Sequence, residues 1–209
     1  MTTTLPPITG LADVEALLAY CNEIRFQCAY GLEAWETIRT LAPDAKKTGA
    51  YVEVFAAIHT LVTATGNLDK LLNNPSIPRK DTPDLKAARE WRVKQFQVAL
   101  GGLAALPEIV ASRQLRNHLE HFDERIDRRV VQRRNQGGNP WLGDHMIIPW
   151  DPITNPISLT GNRPVRLLDP QTWECFINGD QFNVKRLADE CQQLKDALVE
   201  LRMMLEAWR

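Results

Sequence analysis

Two stretches far apart in the chain repeat apolar residues at alternating spacings of three and four, and this restricts the fold more than any other feature. The first holds Val14, Leu17, Cys21, Ile24, Cys28, Trp35 and Ile38, with Gly31 standing where another apolar side chain is due. The second holds Val184, Leu187, Cys191, Leu194, Leu198, Leu201, Leu205 and Trp208. So narrow an apolar stripe is buried only when a second helix lies along it. The spacing predicts one helix over about 11–41, ended by Pro43, and another over about 184–208. Gly31 predicts a close helix approach. The last seam fits an antiparallel neighbour in the same bundle, with a homodimer seam as the alternative.

Between these stretches the pattern stays helical for most of its length. A second helix is expected over about 49–72, with Tyr51, Val54, Phe55, Ile58, Leu61, Val62, Leu68 and Leu72 on one side. Thr82-Pro83-Asp84 supplies a capping hydroxyl, a proline at the first helical position and an acid at the positive end of the dipole. The helix it opens runs to about Leu100, where Gly101-Gly102 interrupts. Pro107-Glu108 opens another, with Val110, Leu115, Leu119, Phe122, Ile126 and Val130 as its apolar stripe and Gln136-Gly137-Gly138-Asn139 as its stop.

Residues 135–164 show no sustained period and contain Pro140, Pro149, Pro152, Pro156 and Pro164 with Trp141 and Trp150. A loop of this kind is either a lid or a segment pinned to the bundle by its tryptophans. Strand-like pieces follow at about 165–168, 173–177 and 181–184, the last two separated by Asn178-Gly179, a hairpin turn signal. The expected fold is mainly α: an up-and-down helical bundle of four to five helices with a small β-hairpin before the C-terminal helix. It forms a single domain over 1–209, with the loop and hairpin inserted at about 135–183.

The formal charge of −1 on 209 residues excludes a globally basic nucleic-acid binder, yet leaves room for a local basic patch. No apolar run approaches the roughly 20 residues that span a bilayer, so no membrane is expected as partner. The first ten residues lack the order of a signal peptide. The four cysteines include no CxxC pair, and Cys21 and Cys28 fall on one helical face as small buried hydrophobes. A reducing cytoplasm is the expected location. No Glu-x-x-His pair, GxxxxGK[ST] loop, GxGxxG or GxSxG occurs, and His59 and His145 have no ligand spacing, so neither a metal nor another cofactor is expected.

No other part of the chain gathers as many groups able to do chemistry at neutral pH as Arg116-Asn117-His118-Leu119-Glu120-His121. Histidine can serve as acid or base, and arginine offers a planar fork of donors to phosphate. On a helical wheel His121 lies about 130° from the centre of the apolar stripe on one side, and Arg116 about 90° on the other. One regular helix therefore does not bring the two side by side. Asn117 shares a face with His121 and is placed to orient it, while Arg116 and Glu120 have the spacing of an exposed ion pair. His118 falls nearer the apolar edge, as a packing residue. The remaining arginines of this stretch, including Arg113 and Arg125, alternate with acids as on a solvated, salt-bridged face.

An arginine followed by a polar residue, with a histidine after four intervening positions, resembles the Rx4-6H motif of the HEPN superfamily, and the long helices around it resemble that superfamily's bundle. The matching positions are Arg116, Asn117 and His121. The resemblance implies a metal-independent endoribonuclease of toxin, stress or phage-defence type, its site formed where two motifs meet across a homodimer. It implies RNA as substrate and a protein antitoxin as partner. Arg116 and His121 would be catalytic and Asn117 supporting. A shared groove between two subunits would also remove the objection of the wheel. The loop and hairpin depart from a minimal HEPN bundle. Asp123 stands where some toxin members carry a tyrosine, so control through that tyrosine is not implied. The rival reading is a non-catalytic HEPN-like helical binding or scaffold protein.

Overall fold

The stripe of the first stretch becomes a single helix, α1, Leu11–Leu41, whose buried face is Val14, Leu17, Cys21, Ile24, Cys28, Gly31, Ala34 and Ile38. The computed structural model of the protein describes residues 10–73, 82–120, 131, 135, 146–148, 166–177 and 180–208. Pro43 ends the α-helical bonding of α1, but the chain keeps turning through a 3-10 turn at Ala42–Asp44 and the short α2, Ala45–Thr48. Gly49, at φ 78°, provides the left-handed stop and donates its amide to the Ala45 carbonyl at 2.8 Å.

Three more helices follow: α3, Tyr51–Leu72, α4, Pro83–Leu100, and α5, Pro107–Glu120. Thr82 caps α4 as its sequence predicts, its hydroxyl accepting from the Leu85 amide. Helix α3 differs from the one-sided expectation. Ala57, Ala64, Thr65 and Asp69 are buried along with the large apolar residues, because α1 lies on one side of α3 and α5 on the other. Thr65 avoids an unmet polar group by donating its hydroxyl to the Leu61 and Val62 carbonyls. At the end of α3, Arg92 of α4 donates to the carbonyls of Lys70 and Leu71 and lies 4.9 Å from the Tyr20 ring centre. One guanidinium so satisfies helix-end carbonyls and ties α1, α3 and α4 together.

The last helix, α6, Val184–Ala207, lies along α1. Gly31 meets Cys191, Ile38 near the end of α1 shares a core cluster with Val184 and Leu187, and Val14 and Leu17 near its start share one with Leu198 and Leu205, so the two helices run antiparallel. The seam is thus filled within the chain through Leu205. Leu201 is half-buried and Trp208 is 74% exposed, so the stripe fades at its end. A Cβ at Gly31 would stand 3.2 Å from Cys191 Sγ and 3.3 Å from Leu61 Cδ1, which makes this position the meeting point of α1, α3 and α6.

Before α6 the strands form a sheet of four in the order β1-β2-β3-β4, larger than the expected hairpin. These are β1, Met146–Ile147, β2, Arg166–Leu168, β3, Glu174–Ile177, and β4, Asp180–Asn183. Strands β3 and β4 are the predicted antiparallel pair, with Ile177 opposite Asp180, and β2 adds antiparallel to β3. Strand β1 falls within the stretch read as an irregular loop and pairs parallel to β2. Such a pair needs a long connection, which no local periodicity reveals. Trp173, expected in a strand, sits in the turn before β3 at φ 63° with its amide bonded to the Asp169 carbonyl. Its ring meets Trp35 edge-on at 4.9 Å, and this contact holds a backbone conformation that aromatic residues seldom adopt. Asn183 joins sheet to helix, capping α6 at the Arg186 amide and donating to Thr172 and Glu174. The fold of the described residues is mainly helical, with a small sheet before the final helix. Trp141, Trp150, the loop prolines and the turn residues Asn178 and Gly179 lie outside the described residues.

Leucine is a better helix former than glycine, so a loss on Gly31→Leu reports packing alone. The expected loss is about 2–3 kcal/mol in urea unfolding, from overpacking among three helices. An unchanged unfolding midpoint would contradict the close crossing.

Candidate functional site

Helix α5 carries Arg116 and Asn117 of the motif, and a residue 81 to 82 positions along the chain secures its start. Glu190 of α6 accepts the Glu108 amide at 3.1 Å and the Ile109 amide at 2.8 Å, so one carboxylate meets two unpaired donors of the first turn. Burial, the largest influence, pushes the Glu190 carboxyl above the ordinary glutamate range; the two amides pull it down, and Glu108 adds to the rise. Buried Ser112 returns its hydroxyl to the Ile109 carbonyl at 2.6 Å.

Ile109, Ser112 and Leu115 are buried and Leu119 is half-buried, whereas Val110 is exposed. In the first turn Ile109 thus takes the place expected of Val110, while Leu115 and Leu119 keep theirs and Phe122, Ile126 and Val130 lie outside the described residues; the described stripe runs closer to Arg116. At seven residues from Ile109, Arg116 stands about 50° from the stripe centre rather than about 90°. Its side chain is accordingly only 19% exposed.

Helix α3 makes room for it. A Cβ at Gly66 would lie 2.9 Å from Arg116 Cδ and 3.1 Å from its Cβ, so the arginine stem fills the space that any other residue would occupy. The next residue, Asn67, accepts from Arg116 Nη1 at 2.7 Å. Asn67 in turn donates to Gln27 of α1 at 3.1 Å, and Gln27 donates to Glu23 at 2.7 Å. On the other edge of the guanidinium, Nη2 meets Glu120 Oε1 at 2.8 Å, the ion pair that the sequence spacing predicts. The result is a polar strip, Glu23–Gln27–Asn67–Arg116–Glu120, laid across three helices.

Of the predicted site residues, Arg116 is half-buried in this strip and Asn117 is exposed on the neighbouring face. His121, its partnership with Asn117, and the side chain of His118 lie outside the described residues. Arg113 is exposed, in keeping with a solvated face. Asn67, Gly66 and Gln27 escaped the sequence reading. Gly66-Asn67 inside an otherwise apolar helix was the available signal, since glycine costs about 1 kcal/mol there relative to alanine and calls for a packing reason.

Set against protein-family models, curated proteins and solved structures, the chain matches none. Among the described residues no group of three histidine, cysteine or acidic side chains is arranged to hold a metal ion, and no helix is long and apolar enough to cross a membrane. The four cysteines are buried and free, and burial pushes the thiols up, to about 11 for Cys21 and about 12 for Cys28. Thiols so held are packing groups rather than nucleophiles.

Two outcomes follow from this geometry. Gly66→Ala forces the Arg116 stem outward and separates it from Asn67, at an expected cost of about 1–3 kcal/mol despite better helix propensity. Thermal unfolding of Gly66→Ala, Arg116→Ala and the double variant checks this, because the two losses must not add if both act on one contact. Glu190 titrates higher in the fold than in the unfolded chain, so the native state holds the extra proton just above the ordinary glutamate pKa. Its contribution is full below that value and declines as pH rises through the raised one. Chemical denaturation across this window should show the wild type losing stability relative to Glu190→Gln; the opposite slope would contradict burial as the dominant cause.

Proposed function

We propose that the chain is a HEPN-like, metal-independent endoribonuclease whose site forms across a homodimer, with Arg116 and His121 catalytic and Asn117 supporting. The observation that supports this reading is the hold on Arg116. Its guanidinium is largely withdrawn from solvent, fixed at one edge by Asn67, and already carries a carboxylate oxygen 2.8 Å from the other. A positioned donor fork that bears an oxyanion is what a transferring phosphate requires.

In this mechanism the ribose 2′ oxygen attacks phosphorus and the bond to the 5′ oxygen breaks. His121 takes the 2′ proton or delivers one to the departing oxygen, and Arg116 stabilises the charge that develops on the phosphoryl oxygens. The products carry a 2′,3′-cyclic phosphate and a 5′ hydroxyl. Two motifs facing one groove supply both an acid and a base. In a toxin or phage-defence setting the protein would act in the cytoplasm and be restrained by an antitoxin protein.

A second reading is favoured by the same contacts. Arg116 has partners inside its own subunit, as a helix clamp in a non-catalytic binding or scaffold protein would. The two readings separate at His121→Ala. Under the nuclease reading this variant loses RNA cleavage in chelator by about a hundredfold or more while its thermal unfolding stays unchanged. Varied RNAs left intact by concentrated wild-type protein would sink the nuclease reading.

A further inference from the structure

Arg116 has two partners that differ in how readily water or a ligand replaces them. Asn67 reaches from another helix, is half-buried, and is itself tied through its amide nitrogen to Gln27. That second bond fixes which way the amide faces, since a flip would set its nitrogen against the guanidinium donors and its oxygen against Gln27 Oε1. Glu120 lies one turn along the same helix, with its side chain 47% exposed. An ion pair at this spacing with one half-exposed member is weak, and its carboxylate leaves at little cost. Carboxylate and phosphate oxygens both suit the arginine fork.

We propose that Glu120 occupies the position of a phosphodiester oxyanion on Arg116 and is displaced by it. Asn67, braced by Gln27, is the positioning residue that keeps the guanidinium aimed during the exchange. This rests on the nuclease reading of the same site and adds two residues to it, one permanent partner and one exchangeable one. The phosphate oxygen takes the place of Glu120 Oε1 beside Nη2, while Nη1 stays on Asn67. The freed carboxylate turns to solvent on the exposed side of α5.

The test uses the full chain in chelator with two ligands. One is an oligouridylate; the other is its 2′-O-methyl counterpart, which keeps the phosphodiester charges and lacks the nucleophile. Glu120→Gln removes the competing charge and should tighten binding of the 2′-O-methyl probe by roughly threefold or more. Asn67→Ala should weaken it by about tenfold. NMR of the Arg116 Nη protons supplies a readout independent of turnover: slow guanidinium rotation in the wild type, kept in Glu120→Gln and lost in Asn67→Ala. Glu108→Gln removes a carboxylate elsewhere on α5 and controls for net charge: equal tightening in both variants overturns the exchange, and tightening confined to Glu120→Gln supports it. If the wild type cleaves oligouridylate while neither substitution shifts probe binding, the exchange is wrong and the nuclease reading stands. If the wild type cleaves nothing but the probe and the Nη signals respond as expected, the nuclease reading fails and the exchange stands. A wild type that neither cleaves nor binds overturns both.

Discussion

The side chain that is missing at Gly31 sets how closely α1, α3 and α6 meet, and the rest of the bundle is arranged around that crossing. Cys191 and Leu61 fill the space that a Cβ would take. With α1 drawn in, α3 is enclosed on that side and must find its second neighbour on the other. It uses the same device there: Gly66 opens a slot, and the stem of Arg116 from α5 fills it. Two glycines in two helices therefore place the motif helix, each through close packing rather than through backbone freedom.

Withdrawing a guanidinium from water carries a penalty unless its donors are met, and α5 alone offers Arg116 only Glu120. The second acceptor has to come from another helix, which gives a reason for a polar side chain on the part of α3 that meets α5. Asn67 meets that need and passes the demand on to Gln27 and Glu23 at the surface of α1. Removing a middle member would strand its neighbours, so the strip behaves as one unit. Glu190 treats the other end of α5 in the same way, answering two first-turn amides with one carboxylate. Helix α5 is thus held by polar contacts at its start and at Arg116, with apolar contacts between them.

Much of the helical frame was legible because its signals are local. The bounds of α1, the Thr82 cap of α4 and the break at Gly101-Gly102 each depend on a few adjacent residues. The Arg116–Glu120 pair was legible for the same reason, being one turn long. The choice of Val110 over Ile109 as a stripe residue failed because both are apolar and adjacent; only the position of α3 and α6 decides which one is covered. Strand β1 was missed because its partner β2 lies far along the chain, and the Trp173 turn because the bonds that Asp169 gathers there leave no periodic trace, while the ring's contact with Trp35 is distant in sequence.

By itself, the sequence determined that the chain forms long helices with narrow seams and that Arg116 and Asn117 share one of them, and it left the last seam open to an antiparallel bundle neighbour or a second copy. Periodicity and capping act over one or two turns, so they are written in consecutive residues. The tertiary structure decided that the last seam packs on α1 of the same chain and that α3 is enclosed on both sides. It decided, too, that Arg116 is a half-buried member of a strip running through Asn67 and Gln27. The strip depends on faces that meet across 40 to 49 residues of sequence, and the α1–α6 seam, at Gly31 and Cys191, on a far larger separation, where distance along the chain carries no signal. Close packing, not propensity, selects among them.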